Sequence, residues 1–122
     1  MKLTSNVRKA IGPESGDPED RLLYAQLLEG AGMLDDAEKE YQAVSSMMPD
    51  SPDLYIQYGN LLKRIRRYDD AEKQYCKAIS INPGNFYAHF SYAVLLEEQK
   101  RFGEAEEEYI LAAGARDSSA TT

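Results

Sequence analysis

The sequence predicts an all-α fold built from antiparallel helix pairs, and three observations carry that expectation. The first is an internal period. Residues 35–41 read DDAEKEY, residues 69–75 read DDAEKQY and residues 103–109 read GEAEEEY, each 34 residues after the last. A fixed period of this size marks stacked helical units and is the first thing to test in any chain. The second is the spacing of apolar residues inside each period. Tyr58 and Leu62 are four apart, as are Ala71 and Tyr75, with Ala78 three further on. That spacing places each set on one helical face. The third is punctuation. Pro18 and Pro52 stand where a first helical turn tolerates proline, because its missing N–H would be unpaired there anyway.

The columns align without a gap. They are Tyr24, Tyr58 and Tyr92; Leu28, Leu62 and Leu96; Ala37, Ala71 and Ala105; and Tyr41, Tyr75 and Tyr109. Leu34, Tyr68 and Phe102 keep a large apolar residue, while Ala25, Gly59 and Ala93 stay small, as do Val44, Ala78 and Ala112. Pro49 and Pro83 close the first two periods, and Asp117 takes that slot in the third. The helices expected are 18–31, 35–47, 52–65, 69–81, 86–99 and 103–115. Asp17 and Ser51 precede the prolines as N-cap candidates. Short connections make neighbouring helices antiparallel. Gly59 and Ala71 are small where the two helices of a pair approach, and the aromatic columns fill the space between pairs.

Small-after-aromatic in a first helix, then alanine, aromatic and alanine in a second, then proline, resembles the tetratricopeptide repeat. The middle unit matches best, through Tyr55, Tyr58, Gly59, Leu62, Ala71, Tyr75, Ala78 and Pro83. The resemblance spans about residues 18–117 and implies a right-handed α-solenoid of three units, 18–51, 52–85 and 86–117. Departures fall at Arg21, where the family prefers a bulky aromatic, and at His89 and Asp117. Shifting the register back once more sets Lys9, Ala10 and Ile11 on Lys77, Ala78 and Ile79. Within the leader 1–17, residues 3–11 therefore read either as the second helix of a truncated preceding unit or as an unstructured arm. Residues 118–122 read as a short polar tail. Without a capping helix, the expectation is that the chain stacks on further repeats or self-associates through its terminal helices.

Composition narrows the function classes. The chain has 122 residues, 43% hydrophobic and 29% charged, and a net charge of −7. An acidic surface argues against binding nucleic acid, an RNA-binding helical repeat included, and against anionic membranes. No apolar run approaches a membrane span, and Lys2, Arg8 and Lys9 lack the apolar segment that would make a signal peptide. Cys76 is the single cysteine, which makes a reducing, cytoplasmic setting the default expectation.

Little supports catalysis. Asp35, Asp36, Asp69, Asp70 and Glu104 recur at helix starts, where negative charge complements the macrodipole, so they read as a fold device rather than an acid–base pair. A calcium loop would need alternating oxygen ligands and a mid-loop glycine, and neither is present. His89 shares its column with Arg21 and Tyr55 on the packing side of a first helix and reads as a hydrogen-bonded core residue. Cys76 has no histidine beside it and reads as a bystander thiol. There is no phosphate-cradling glycine loop, paired-cysteine zinc spacing or serine-hydrolase elbow. The expectation is a protein that is not an enzyme and takes no metal or cofactor.

A binding surface is better supported. Leu22, Gln26 and Glu29 lie roughly half a turn from Tyr24, Ala25 and Leu28, at ~3.6 residues per turn. They have no packing duty in their own pair, and the resemblance implies that this face lines a concave groove holding a partner peptide or helix. The groove columns are Leu22, Ile56 and Phe90; Gln26, Asn60 and Val94; Glu29, Lys63 and Glu97; and Glu19, Asp53 and Tyr87. Leu22, Ile56, Phe90 and Val94 would take apolar anchors. Asn60, donor and acceptor at once, would hold peptide backbone. Lys63 and Arg64 would meet an acidic group. Residues 18–51 hold eight carboxylates against two cations, 52–85 four against six, and 86–122 seven against three. The charges are thus −6, +2 and −4, and the middle unit is a basic island. Lys63, Arg64, Arg66 and Arg67 read equally as solvated residues closing a helix C-terminus. One subclass of the family grips chaperone C-terminal carboxylates with lysine, asparagine and arginine. The corresponding places here hold Leu22, Gln26, Gln57, Phe90 and Val94, so the resemblance does not extend to that activity.

Overall fold

The structure is a computed structural model and describes residues 5–121. Among the described residues there are seven α-helices and no strand. They divide into two compact units, Met1–Asp50 and Ser51–Thr122.

The first unit holds α1 (Ser5–Ile11), α2 (Pro18–Gly30) and α3 (Leu34–Met47). Asp17 caps α2 by accepting from the Glu19 amide at 3.0 Å, with Pro18 at the first helical position. Three residues join α2 to α3, too few for anything but a reversal, and the two helices pack as an antiparallel pair. Ala25, Leu28, Ala37, Tyr41 and Val44 fill the seam with at most 2% exposure. Each large apolar side chain buried there contributes roughly 1.5–3 kcal/mol. α1 packs on α2. Of the leader helix expected over 3–11, residues 3 and 4 lie outside the described residues; 5–11 are helical.

The second unit holds α4 (Pro52–Arg64), α5 (Tyr68–Ile81), α6 (Phe86–Glu98) and α7 (Phe102–Thr121). Ser51 Oγ and Asn85 Oδ1 cap α4 and α6 by accepting from the amides three residues on. The pairs α4–α5 and α6–α7 are joined as α2–α3 is, and α6 also packs against α5 and α4. Helix α7 runs to Thr121 rather than stopping near 115, so most of the stretch expected as a polar tail is helical. Its sequence past Tyr109, ILAAGARDSSAT, contains no proline to stop it.

The reversal inside each pair is the same motif three times. Gly32 donates to the Glu29 carbonyl and Met33 to that of Leu28; Arg66 and Arg67 repeat this toward Lys63 and Leu62, and Lys100 and Arg101 toward Glu97 and Leu96. These paired bonds satisfy the orphan carbonyls at a helix end and require a left-handed residue. Gly32 takes it at φ 80°, but Arg66 and Lys100 take it at 66° and 62°. Part of the middle unit's basic character thus sits in a strained turn.

A second repeated device lies at the departures from the aromatic column. Arg21 Nη2 meets Glu40 Oε2 at 2.7 Å, and His89 Nδ1 meets Glu108 Oε2 at 3.1 Å. Arg21 and His89 are 68 residues apart, as are Glu40 and Glu108, so a side chain paired with a glutamate occupies one slot in the first and third repeats. His89 is 4% exposed, and its Nε2 lies 2.7 Å from the Pro83 carbonyl. In the middle repeat the slot holds Tyr55, with Lys77 Nζ 4.7 Å above its ring.

Candidate functional site

In the second unit α4 and α6 pack against each other. On α4, Asp53, Asn60 and Arg64 are exposed and Gln57 partly so. These residues are four, three and four apart, which is a single stripe of a helix. On α6, Tyr87 is 67% exposed and Phe90 44%, with Val94 partly exposed. At the C-terminal ends of the two helices, Lys63 Nζ lies 3.7 Å from Glu98 Oε1.

The aromatic side of this face is ordered by its own contacts. Phe86 stacks on Phe90 at 5.6 Å between ring centroids and meets Tyr87 edge-on at 5.2 Å. Phe90 in turn meets Tyr109 of α7 edge-on at 5.7 Å. Such pairs add about 0.5–1.5 kcal/mol beyond area burial, so Phe90 is held in place while much of its ring faces solvent.

The polar side is set from beneath by the second-helix tyrosines. Tyr75 donates to Asn60 Oδ1. Tyr109 donates to Glu97 Oε1 at 2.9 Å, and in the first unit Tyr41 donates to Glu29 Oε1 at the same distance. Burial, reinforced by the Glu98 carboxylate, pushes the Tyr75 phenol well above its ordinary range, so it remains a donor. With its oxygen engaged, Asn60 has its exposed amide N–H groups to offer a ligand.

The structure redistributes the roles expected of the groove residues. Ile56 is 7% exposed and Leu22 6%, so neither offers the surface an apolar anchor needs. Both sit at the margin of the open stripe, about 100° of helical rotation from Gln57 and Leu23, their next neighbours in sequence. Both side chains are buried, unlike the exposed anchors expected of them. Lys63 is partly covered and paired with Glu98. Arg64, Asn60, Tyr87, Phe90 and Val94 lie on or beside the open face. In the first unit Gln26 is exposed on α2, beside two residues absent from the expected columns, Leu23 at 46% exposure and Leu27 at 41%. Tyr109 was also absent, because a column of tyrosines reads as core.

Glu72 accepts from Tyr92 and from Arg101 Nη1 and Nη2 at 3.3 and 3.2 Å. Burial raises its pKa, but those hydrogen bonds outweigh it and hold the carboxyl below the usual range. Burial pushes the neighbouring Cys76 thiol up, away from the reactive thiolate. A cleft of about 460 Å³ in the first unit is walled by Arg8, Tyr24, Asp36, Lys39 and Glu40 among others. Among the described residues no cluster of three His, Cys, Asp or Glu side chains is placed to hold a metal ion. No described helix is long and apolar enough to cross a membrane.

Comparison with known proteins adds a family. The family model described as Tetratricopeptide repeat matches residues 22–85 and 56–120. Among solved structures, MamA superposes with a TM-score of 0.85 at 20% identity, over 95% of this chain and 68% of MamA. The Yersinia enterocolitica type III secretion translocator chaperone SycD superposes at 0.76 and 21% identity, over 80% of this chain and 74% of SycD. A second SycD structure, solved with a peptide of the translocator YopD, superposes at 0.74 with 22% identity and the same coverage. These likenesses establish the all-α helical-repeat fold. No curated protein matches the chain.

Proposed function

Because the chain belongs to the tetratricopeptide repeat family, we propose that it is a protein-interaction module whose second unit binds a segment of a partner protein across α4 and α6. The observation that carries this reading is the half-exposed ring of Phe90, pinned between Phe86 and Tyr109, on a helix that packs against α4, where Asn60 is exposed. A fixed aromatic ring on one helix and a backbone-competent amide on the helix packed against it offer an extended or helical peptide an apolar anchor and a polar register. Tyr87, Phe90 and Val94 take apolar side chains, Asn60 donates to peptide carbonyls, and Arg64 with Lys63 meets a carboxylate. Gln26 holds the position corresponding to Asn60 in the first unit. The structural likeness to SycD, which has been solved with a translocator peptide, supports the reading at the level of the fold.

Panning a random peptide library against the chain, with counter-selection on a Tyr87→Ala/Phe90→Ala variant, tests this. Enriched peptides should carry apolar residues near an acid, and they should lose affinity at least about tenfold for the double variant, the scale of one lost hot-spot residue. Circular dichroism should show unchanged helicity. Peptides that bind both proteins equally would place recognition elsewhere. Asn60→Ala is the poorer probe, because it also removes the acceptor of Tyr75.

A second reading, assembly through the terminal helices, rests on a separate observation. Phe102, Ile110 and Leu111 on α7 are more than half exposed.

A further inference from the structure

In the second unit the turn that ends a helix is built twice around a cation. The left-handed slot that Gly32 fills in the first pair is held by Arg66 at φ 66° and by Lys100 at φ 62°. A side chain there is strained, because its Cβ crowds the following carbonyl. Strained backbone of this kind clusters at functional sites, and an observed outlier is a reason to look for one. The dipole of α4 does not require Arg66, since Lys63 and Arg64 already stand in its last turn.

The two turns lie at one end of the unit. Helices α4 and α6 pack together, and Lys63 Nζ meets Glu98 Oε1 at 3.7 Å. Arg66 follows that contact by three residues along the chain, and Lys100 by two. Packed helices lie about 8–10 Å apart, so the turns that end them stand roughly that far from each other. Most charges around them are already matched. Asp70 is engaged by Arg67, Glu72 and Glu104 by Arg101, Glu98 by Lys63 and Glu97 by the Tyr109 hydroxyl, with Asp69 exposed beside them. Arg66 and Lys100 differ. Both are exposed, and neither side chain has a partner among the described residues. The turn of the first pair, Ala31 to Met33, carries no charge at all.

We infer that Arg66 and Lys100 form a two-point cationic edge that holds an acidic segment of a partner protein, with carboxylates three residues apart. In an extended segment that spacing covers about 10 Å, at ~3.3 Å per residue. Arg66 presents a fork that takes a carboxylate through two N–H groups, and Lys100 presents a point charge. The exposed carboxylates of Asp69, Glu97 and Glu98 repel a chain with a phosphate at every residue, so separated carboxylates suit the edge better than nucleic acid. The edge adjoins Arg64, at the end of the proposed peptide-binding face. It needs no apolar anchor on that face, so the two can hold or fail separately.

The probe is a flexible peptide of about eight residues, glycine and serine with two glutamates three apart. Titration at low ionic strength, followed by amide NMR, should give saturable shifts at Arg66, Arg67, Lys100 and Arg101 and none at Gly32 or Met33. Arg66→Gly/Lys100→Gly should weaken binding about tenfold, the scale of two exposed charge pairs, while raising Tm. Arg66→Lys should retain more affinity than Arg66→Gly, because the charge stays. The same peptide with glutamines should not bind, and Tyr87→Ala/Phe90→Ala should leave the titration unchanged. Absent saturation, equal binding of the glutamine peptide, unchanged affinity in the double glycine variant or loss on Tyr87→Ala/Phe90→Ala would each overturn the inference. A lower Tm in the double glycine variant would do so too, since the cations would then serve the fold. Tighter binding of an oligothymidylate of equal charge would make nucleic acid the occupant instead.

Discussion

Tyr75 hydrogen-bonds to Asn60, whereas the tyrosines in the same slot of the neighbouring repeats, Tyr41 and Tyr109, reach Glu29 and Glu97. The residue that corresponds to those glutamates in the middle repeat is Lys63. An ammonium group has no lone pair to accept a phenol proton. The Tyr75 hydroxyl therefore finds its acceptor one turn earlier on α4. Its ring then lies over Gly59, where an added Cβ would come within 2.7 Å of Cε1. The other two repeats hold Ala25 and Ala93 at that place, both fully buried. The small residue, the tyrosine's direction and the sign of the charge at position 63 form one linked choice.

That linkage predicts a non-additive pair. Gly59→Ala should cost about 1–3 kcal/mol, because the Tyr75 ring is part of a packed seam. In a Lys63→Glu background the cost should shrink by more than ~0.5 kcal/mol, since the tyrosine regains an acceptor away from residue 59. Urea unfolding of the four proteins measures the coupling. Additive costs would mean that the lysine does not set the tyrosine's direction.

The left-handed turns give a second prediction. Arg66 and Lys100 stand at φ 66° and 62°, where Gly32 serves the first pair. A side chain in that region costs roughly 1–2 kcal/mol, partly offset by the greater freedom glycine has in the unfolded chain. Arg66→Gly and Lys100→Gly should each raise stability by about 0.5–1 kcal/mol, read as a higher Tm. Arg66→Val should lower it, because a β-branched residue fits that conformation worst.

Acid sensitivity should concentrate at Arg101. Burial acts to raise the Glu72 pKa, but the hydrogen bonds from Tyr92 and Arg101 outweigh it, and the Glu104 carboxyl is lowered by its bond to Arg101. Carboxyls depressed by folding contribute stability that is full above their unfolded pKa of about 4.3 and is lost as pH falls through the folded value. The urea midpoint of the second unit should therefore drop between pH 5.5 and 3.5. Arg101→Met should be less stable at pH 7 and should lose less over that interval. An equal acid loss in wild type and variant would contradict the assignment.

The Arg21–Glu40 pair should separate specificity from stability. Glu40 is 8% exposed, and Arg21 Nε is buried with no hydrogen-bond partner. Glu40→Ala alone should cost about 2–4 kcal/mol by stranding the guanidinium. Arg21→Leu with Glu40→Leu should recover most of that loss, since a buried pair scarcely outcompetes well-packed apolar residues. Thermal unfolding of the three proteins reads both effects.

Much of this molecule is written in local pattern. The 34-residue columns, the helix spacing and the caps at Asp17 and Ser51 place six helices within about a residue of the structure at their starts, because periodicity and capping depend on neighbours a turn away. The reading of His89 as a buried, hydrogen-bonded residue follows from its column in the same way. What only the tertiary structure decided is the fate of residues at the edge of a face. Leu22 and Ile56 are buried, Leu23 and Leu27 stay exposed, and Asn60 is engaged by a tyrosine fifteen residues away. A helical angle says which way a side chain leaves its own helix. Whether it is then covered, or finds an acceptor, depends on side chains of other helices, whose reach no single period encodes.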